Sequence, residues 1–249
     1  MAGFKDTIRT VCVFLILRKP FVSALTLCMV MAERESSGRG EMLPQMFVYF
    51  YILAMFFTGT MLSFANQRSL FALLGAAFTA AFSLISHSIM LTPIKQWIRV
   101  RMVARDAAMF GMYLIIASRG TERLERRYRL AWLFQYGCGL LTAFFCITAF
   151  QLNRNPEEQG ALMLPSIVSD FAKLSLAGLF MVCGLLLVSD WNIKTVSSML
   201  LCAQLLYMVL VEVNIKYWTR RQRLEFWSQV GMSVDSLYIL LTLFLIATK

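Results

Sequence analysis

Arg18, Asp106, Asp170 and Lys173 are ionisable residues set among apolar neighbours. A charge surrounded by hydrocarbon costs several kcal/mol unless it is paired, reaches headgroup water or faces a wet cavity, so residues of this kind mark ion pairs, proton relays or ligand sites. Asp170 and Lys173 are three positions apart, on one helix face, where they can neutralise each other. Arg18 is followed by Lys19 and Pro20, after which the apolar run from Phe21 to Ala32 covers about 18 Å of helix, too short for a ~30 Å hydrocarbon core. Arg18 and Lys19 are therefore expected at the edge of the bilayer or within it. Arg18 either snorkels to the headgroups or lines a cavity, balanced by an acid such as Asp106 or Asp170.

Residue sets that perform covalent chemistry are missing from the sequence. His87 is the single histidine, which leaves no His-paired nucleophile and no His-rich metal site; it reads as a satisfied or water-facing polar side chain rather than a proton relay. The 6 cysteines fall inside apolar runs and none forms C-x-x-C, so they read as small packing residues. No H-E-x-x-H occurs. Glu225, four residues after Arg221, reads as half of an exposed interfacial pair. The expectation is a protein without catalysis, cofactor or bound metal.

Two polar junctions repeat. "IKQWIR" at 94–99 returns as "IKYWTR" at 215–220, with Lys216 lying 121 positions after Lys95. Tryptophan and tyrosine prefer the headgroup layer, and lysine or arginine reaches lipid phosphate at the same depth, so Trp97, Arg101, Tyr217, Trp218, Arg223 and Trp227 are expected to be interfacial anchors.

The elements that must hold these residues are membrane helices. In a chain of 249 residues, 59% are hydrophobic and 15% charged, and the mean hydropathy is +0.65. That balance does not fit inside one soluble core. Runs of roughly 20 apolar residues predict eight spans, at 11–32, 46–65, 70–91, 102–118, 130–151, 166–188, 195–213 and 232–248. The fourth and eighth have short apolar stretches that begin at Arg105-Asp106 and Asp235. No small-residue cleavage site follows the first run, and the N-terminus is expected to stay as a signal anchor.

The offset between the junctions also carries the second span onto the sixth and the third nearly onto the seventh. This predicts an all-α bundle of two tandem four-helix units in the same orientation, 1–118 and 130–249, joined by the charged loop 119–129. Residues 33–44 and 214–231 are then expected on one face of the membrane. Lysines and arginines divide almost evenly between the two faces, and only the cluster at 119–129 tilts the orientation toward cytoplasmic termini. "GMYLIIAS", "GCGLLTAFF" and "AGLFMVCG" place small residues where helices can approach closely. A net charge of +10 suits anionic lipid headgroups. Membrane lipids and unidentified membrane or signalling proteins are the expected partners, nucleic acid is not, and the address is an endomembrane or the plasma membrane.

"RKPF" followed by "MAER", then "LSFANQRSLFALLGAAF", "QWIRVRM" and "NIKYWTRRQRLEFWSQV" together resemble the transmembrane protein 101 family over nearly the whole chain. Matching positions in the first half include Arg18, Pro20, Glu33, Arg34, Ser63, Phe64, Arg68, Gly75, Trp97, Val100, Arg101, Met102 and Arg105. Near the C-terminus they include Asn214, Tyr217, Trp218, Arg223, Glu225, Phe226, Trp227 and Gln229. Asp170 and Lys173 belong to none of these motifs. The resemblance implies a polytopic membrane protein associated with activation of nuclear factor kappa B signalling, and it names no substrate. The residues and the resemblance together point to a non-catalytic component acting through protein partners. The alternative is a carrier or chaperone for a lipid, small solute or client membrane protein; a carrier needs a water-accessible cavity, a scaffold only an exposed groove.

Overall fold

The computed structural model describes residues 2–38, 43–64, 68–89, 95–119, 131–162, 166–189, 191–222 and 224–248. Every regular element in them is helical. The first apolar run is broken: α1 (Ala2–Leu17) and α2 (Lys19–Ser36) meet at Arg18 with a bend of 44°. Pro20 lies in the first turn of α2, where its missing N–H costs nothing, but its ring cannot continue the helix that precedes it. α3 (Gln45–Ser63), α4 (Arg68–Ile89) and α5 (Gln96–Arg119) complete the first half. The second half holds α6 (Ala131–Arg154), the short α7 (Pro156–Gln159) and α8 (Ser166–Val188). It closes with α9 (Ile193–Tyr207), which runs on as a π-helical turn (Met208–Glu212), a second π-helical turn (Tyr217–Arg221), and α10 (Phe226–Ala247).

Among the described residues, 6 helices are long and apolar enough to cross a membrane: α3, α4, α6, α8, α9 with its π turn, and α10. Counting the bent α1–α2 pair as one span gives up to 7. By length and composition, the described residues thus give six or seven of the eight expected spans. The expected eighth span qualifies easily inside α10. The expected fourth lies in α5, which is long enough at 24 residues but carries Arg99, Arg101, Arg105 and Asp106 and fails on composition.

Sequential helices pack side by side: α2 on α3, α3 on α4, α4 on α5, α5 on α6, α6 on α8, α8 on α9 and α9 on α10, which returns to α2 and α5. One end of the bundle gathers Glu33, Trp97, Gln151 and Glu225, and the other gathers Ser69 and Ala117. At the first, Gln151 Nε2 donates to the Trp97 carbonyl at 3.0 Å; at the second, Ser69 Oγ donates to the Ala117 carbonyl at 2.8 Å. The helices therefore run antiparallel in chain order, with the bent α1–α2 pair as the first arm. α5 and α6 form the hub because Gly111 and Gly137 face each other: a Cβ on Gly111 would come within 2.8 Å of the Gly137 carbonyl, and one on Gly137 within 2.7 Å of the Gly111 carbonyl. Without a hydrophobic force between helices in lipid, such close backbone contact is what holds a pair together.

Candidate functional site in the bundle interior

A cavity of about 180 Å³ opens between α2, α3, α4, α5 and α10. Lys19, in the first turn of α2, is 6% exposed and cannot reach headgroup water. Its ammonium forms an ion pair with Asp235 of α10 and lies 5.2 Å from the centre of the Tyr238 ring. A buried charge persists only when paired in this way. Across the cavity Asp106 of α5 accepts a hydrogen bond from Ser83 Oγ at 2.7 Å, and its Oδ2 lies 3.1 Å from His87 Nε2. Ser83 and His87 are one turn apart on α4, so a single helix face presents both to the carboxylate. Tyr51 and Phe82, stacked with centroids 3.9 Å apart, form an aromatic wall. Tyr113 closes the cavity floor; it is 1% exposed, and its hydroxyl has no hydrogen-bond partner among the described residues. One lysine thus faces two carboxylates. The lining has a polar part and an aromatic part, and one buried hydroxyl is unused.

A second polar cluster lies beside it on α5. Arg105 pairs with Glu212, the last residue of the first π-helical turn. Arg101 Nη2 is 3.5 Å from the same carboxylate oxygen, and its Nε is 3.8 Å from Glu158. Ser236 Oγ donates to Glu212 at 2.8 Å, and the Tyr207 hydroxyl donates to Glu158. Glu158, on α7, is 0% exposed, so this short helix dips into the bundle. Two arginines meet two glutamates, and the charges cancel. The Arg101 guanidinium also lies 4.0 Å above the Trp218 ring. π-Helical turns recur at functional sites; here the turn delivers Glu212 to both arginines.

The four candidate polar residues separate. Asp106 lines the cavity. Arg18 sits at the break between α1 and α2, donating to Ser63 Oγ at 3.1 Å and lying over the Phe14 ring at 4.8 Å. Asp170 and Lys173 pair with each other at 2.7 Å on the outside of α8. Of the expected anchors, Arg101 and Trp218 are interior, 3% and 0% exposed. Trp97 is half-buried and packs on Trp218 with centroids 5.8 Å apart. The Tyr217 hydroxyl donates to the Glu157 carbonyl at 2.6 Å, and the Trp227 N–H donates to Glu33 at 3.0 Å. Arg223 lies outside the described residues, as does the charged loop beyond Arg119. Glu225 is not an exposed member of a local pair: it is buried and bound to Arg34 of α2, Nη2 to Oε1, at 2.8 Å.

Lys19, His87, Tyr113 and Asp235 were not singled out as a site by sequence. The signal available was a lysine beside a proline and an aspartate inside an apolar run, but nothing local says that they meet.

Compared with known families, residues 4–249 match the TMEM101 protein family. No solved structure matches the chain.

Proposed function

Since this chain belongs to the TMEM101 protein family and has the apolar helices of a multi-pass membrane protein, we propose that it is a non-catalytic carrier that holds a small organic cation in its interior cavity. The observation that carries this reading is the cavity's charge: Lys19 opposite both Asp235 and Asp106, beside the aromatic wall of Tyr51 and Phe82. Asp106, which Lys19 does not neutralise and whose Oδ2 meets Ser83 and the His87 ring, favours a cation, and an aromatic face adds about 0.5–2 kcal/mol for one that is desolvated. The unused Tyr113 hydroxyl supplies an acceptor for an ammonium N–H. α5 is taken here as a further crossing segment, its charges cancelled within the bundle by Glu158 and Glu212.

The partner-protein reading, supported by the charged loops, the lack of a catalytic set and the family resemblance, ranks lower, because residues 120–130 lie outside the described residues and the link to nuclear factor kappa B rests on resemblance. The test uses the full chain in lipid nanodiscs, titrated with tetramethylammonium and ethylammonium while its melting temperature is followed. A saturable rise is expected, weakened at least tenfold in Asp106→Asn and kept in the exterior variant Asp170→Asn. If neither cation raises the melting temperature, or Asp106→Asn binds as well as the native chain, the carrier reading fails.

A further inference from the structure

An open groove of about 730 Å³ runs down the outside of the bundle between α5, α6 and α8. It continues into a neighbouring hollow of about 450 Å³ along α5. Its two ends differ in chemistry. At the Glu33 end the lining is made of donors: the Arg154 guanidinium in the last turn of α6 and the Asn155 amide, with Arg99 in the adjoining hollow. Trp97 Nε1, Arg99 Nε and Asn155 Nδ2 have no hydrogen-bond partner among the described residues. Glu157, the nearest acid in sequence, is paired through Oε1 with Lys95 at 2.7 Å, and its buried Oε2 has no hydrogen-bond partner among the described residues. Toward the middle of the bundle the lining becomes apolar, with Val100, Ile147, Phe150 and Met181; Phe150 is 60% exposed. From Arg154 back to Cys146 the groove covers about 12 Å of helix.

Two guanidiniums with no carboxylate partner among the described residues, continuous with an apolar channel on the outside of the bundle, match one kind of occupant. We propose that this groove is a binding site for an anionic phospholipid, its phosphate held by the Arg99 and Arg154 guanidiniums, with an acyl chain along Val100, Ile147 and Phe150. Charge decides the class of lipid: two guanidiniums with their carboxylates elsewhere favour a net negative headgroup over a zwitterion. The apolar continuation decides the source. A free phosphate would use only the upper end, whereas a lipid uses the whole groove.

The site is independent of the cation cavity and is tested separately. Native mass spectrometry of the purified full chain would compare retention of phosphatidylglycerol, phosphatidylcholine and inorganic phosphate. At least tenfold preference for phosphatidylglycerol over phosphatidylcholine is expected, lost in the double variant Arg99→Gln/Arg154→Gln and kept in Lys194→Gln at the opposite end. Ile147→Trp, which fills the channel and leaves the charges, should also lose the lipid; this arm decides the matter if the double variant does not fold. Equal retention of the two lipids, inorganic phosphate held as tightly as phosphatidylglycerol, or full retention in Ile147→Trp would each overturn the proposal.

Discussion

Lys19 and its neighbour Arg18 show how one residue's shift in position changes a charge's role. Arg18 falls at the helix break and donates an exposed hydrogen bond to Ser63. Arg18→Gln should therefore change stability by no more than ~1 kcal/mol and leave bound molecules unaltered. Lys19 falls one position later, inside the wall, and pairs with Asp235. Lys19→Met leaves a buried carboxylate without its cation, and a loss of about 3–5 kcal/mol is expected in detergent unfolding. Replacing both partners, Lys19→Met with Asp235→Leu, should recover most of that loss, because the desolvation penalty goes with the charges. If the double variant is no more stable than Lys19→Met alone, the pair is not the source of the effect.

Two helix contacts carry predictions of their own. α5 and α6 touch through Gly111 and Gly137, and Gly111→Leu must push a side chain into the Gly137 backbone. Overpacking of this kind costs about 1–3 kcal/mol, so the variant should melt lower than Gly139→Leu, whose Cβ would meet nothing within 4 Å. The second contact clamps α2 to the start of α10. Glu33 accepts hydrogen bonds from the Phe226 and Trp227 N–H groups at 2.9 and 3.0 Å, capping α10 from another helix. Beside it, burial alone would push the Glu225 carboxyl up, but hydrogen bonds from Arg34, its own backbone and Ser228 outweigh that and hold it below the usual range. A lowered folded value means that the clamp contributes fully above the ordinary glutamate pKa of about 4.3 and is lost as pH falls through the lowered one. The melting difference between the native chain and Glu225→Gln should be present at pH 7 and close under acid; a gap that persists there would contradict this.

At the scale of the molecule, the Glu33–Phe226 and Arg34–Glu225 contacts bring the ends of α2 and α10 together, so Ser37 and Lys216 belong to the same end of the bundle. Cysteines at Ser37 and Lys216, in a background lacking exposed Cys28 and Cys202, should react with an impermeant reagent from one side, and Lys194→Cys from the other. Labelling of Ser37→Cys and Lys216→Cys from opposite sides would break the antiparallel order. The two copies of the repeated junction lie against each other, the Trp97 and Trp218 rings 5.8 Å apart between centroids.

Features set by neighbours within a few residues were legible in the sequence. Hydropathy located the apolar helices, because crossing lipid forces about 20 consecutive side chains to be greasy. Spacing of three paired Asp170 with Lys173, and small residues marked the α5–α6 approach, since both depend only on which face of one helix a side chain occupies. The break at Arg18 and the charged helix α5 blurred the count for the same reason: composition along the chain does not say whether a partner elsewhere cancels a charge. Lys19 and Asp235 are 216 positions apart, Arg34 and Glu225 are 191, and Arg105 and Glu212 are 107. Only the order in which the helices pack brings them within bonding distance. The cavity, its surplus carboxylate and the interior placement of Arg101 and Trp218 follow from that packing, because burial of a charge is decided by what lies opposite it rather than by what lies beside it in sequence.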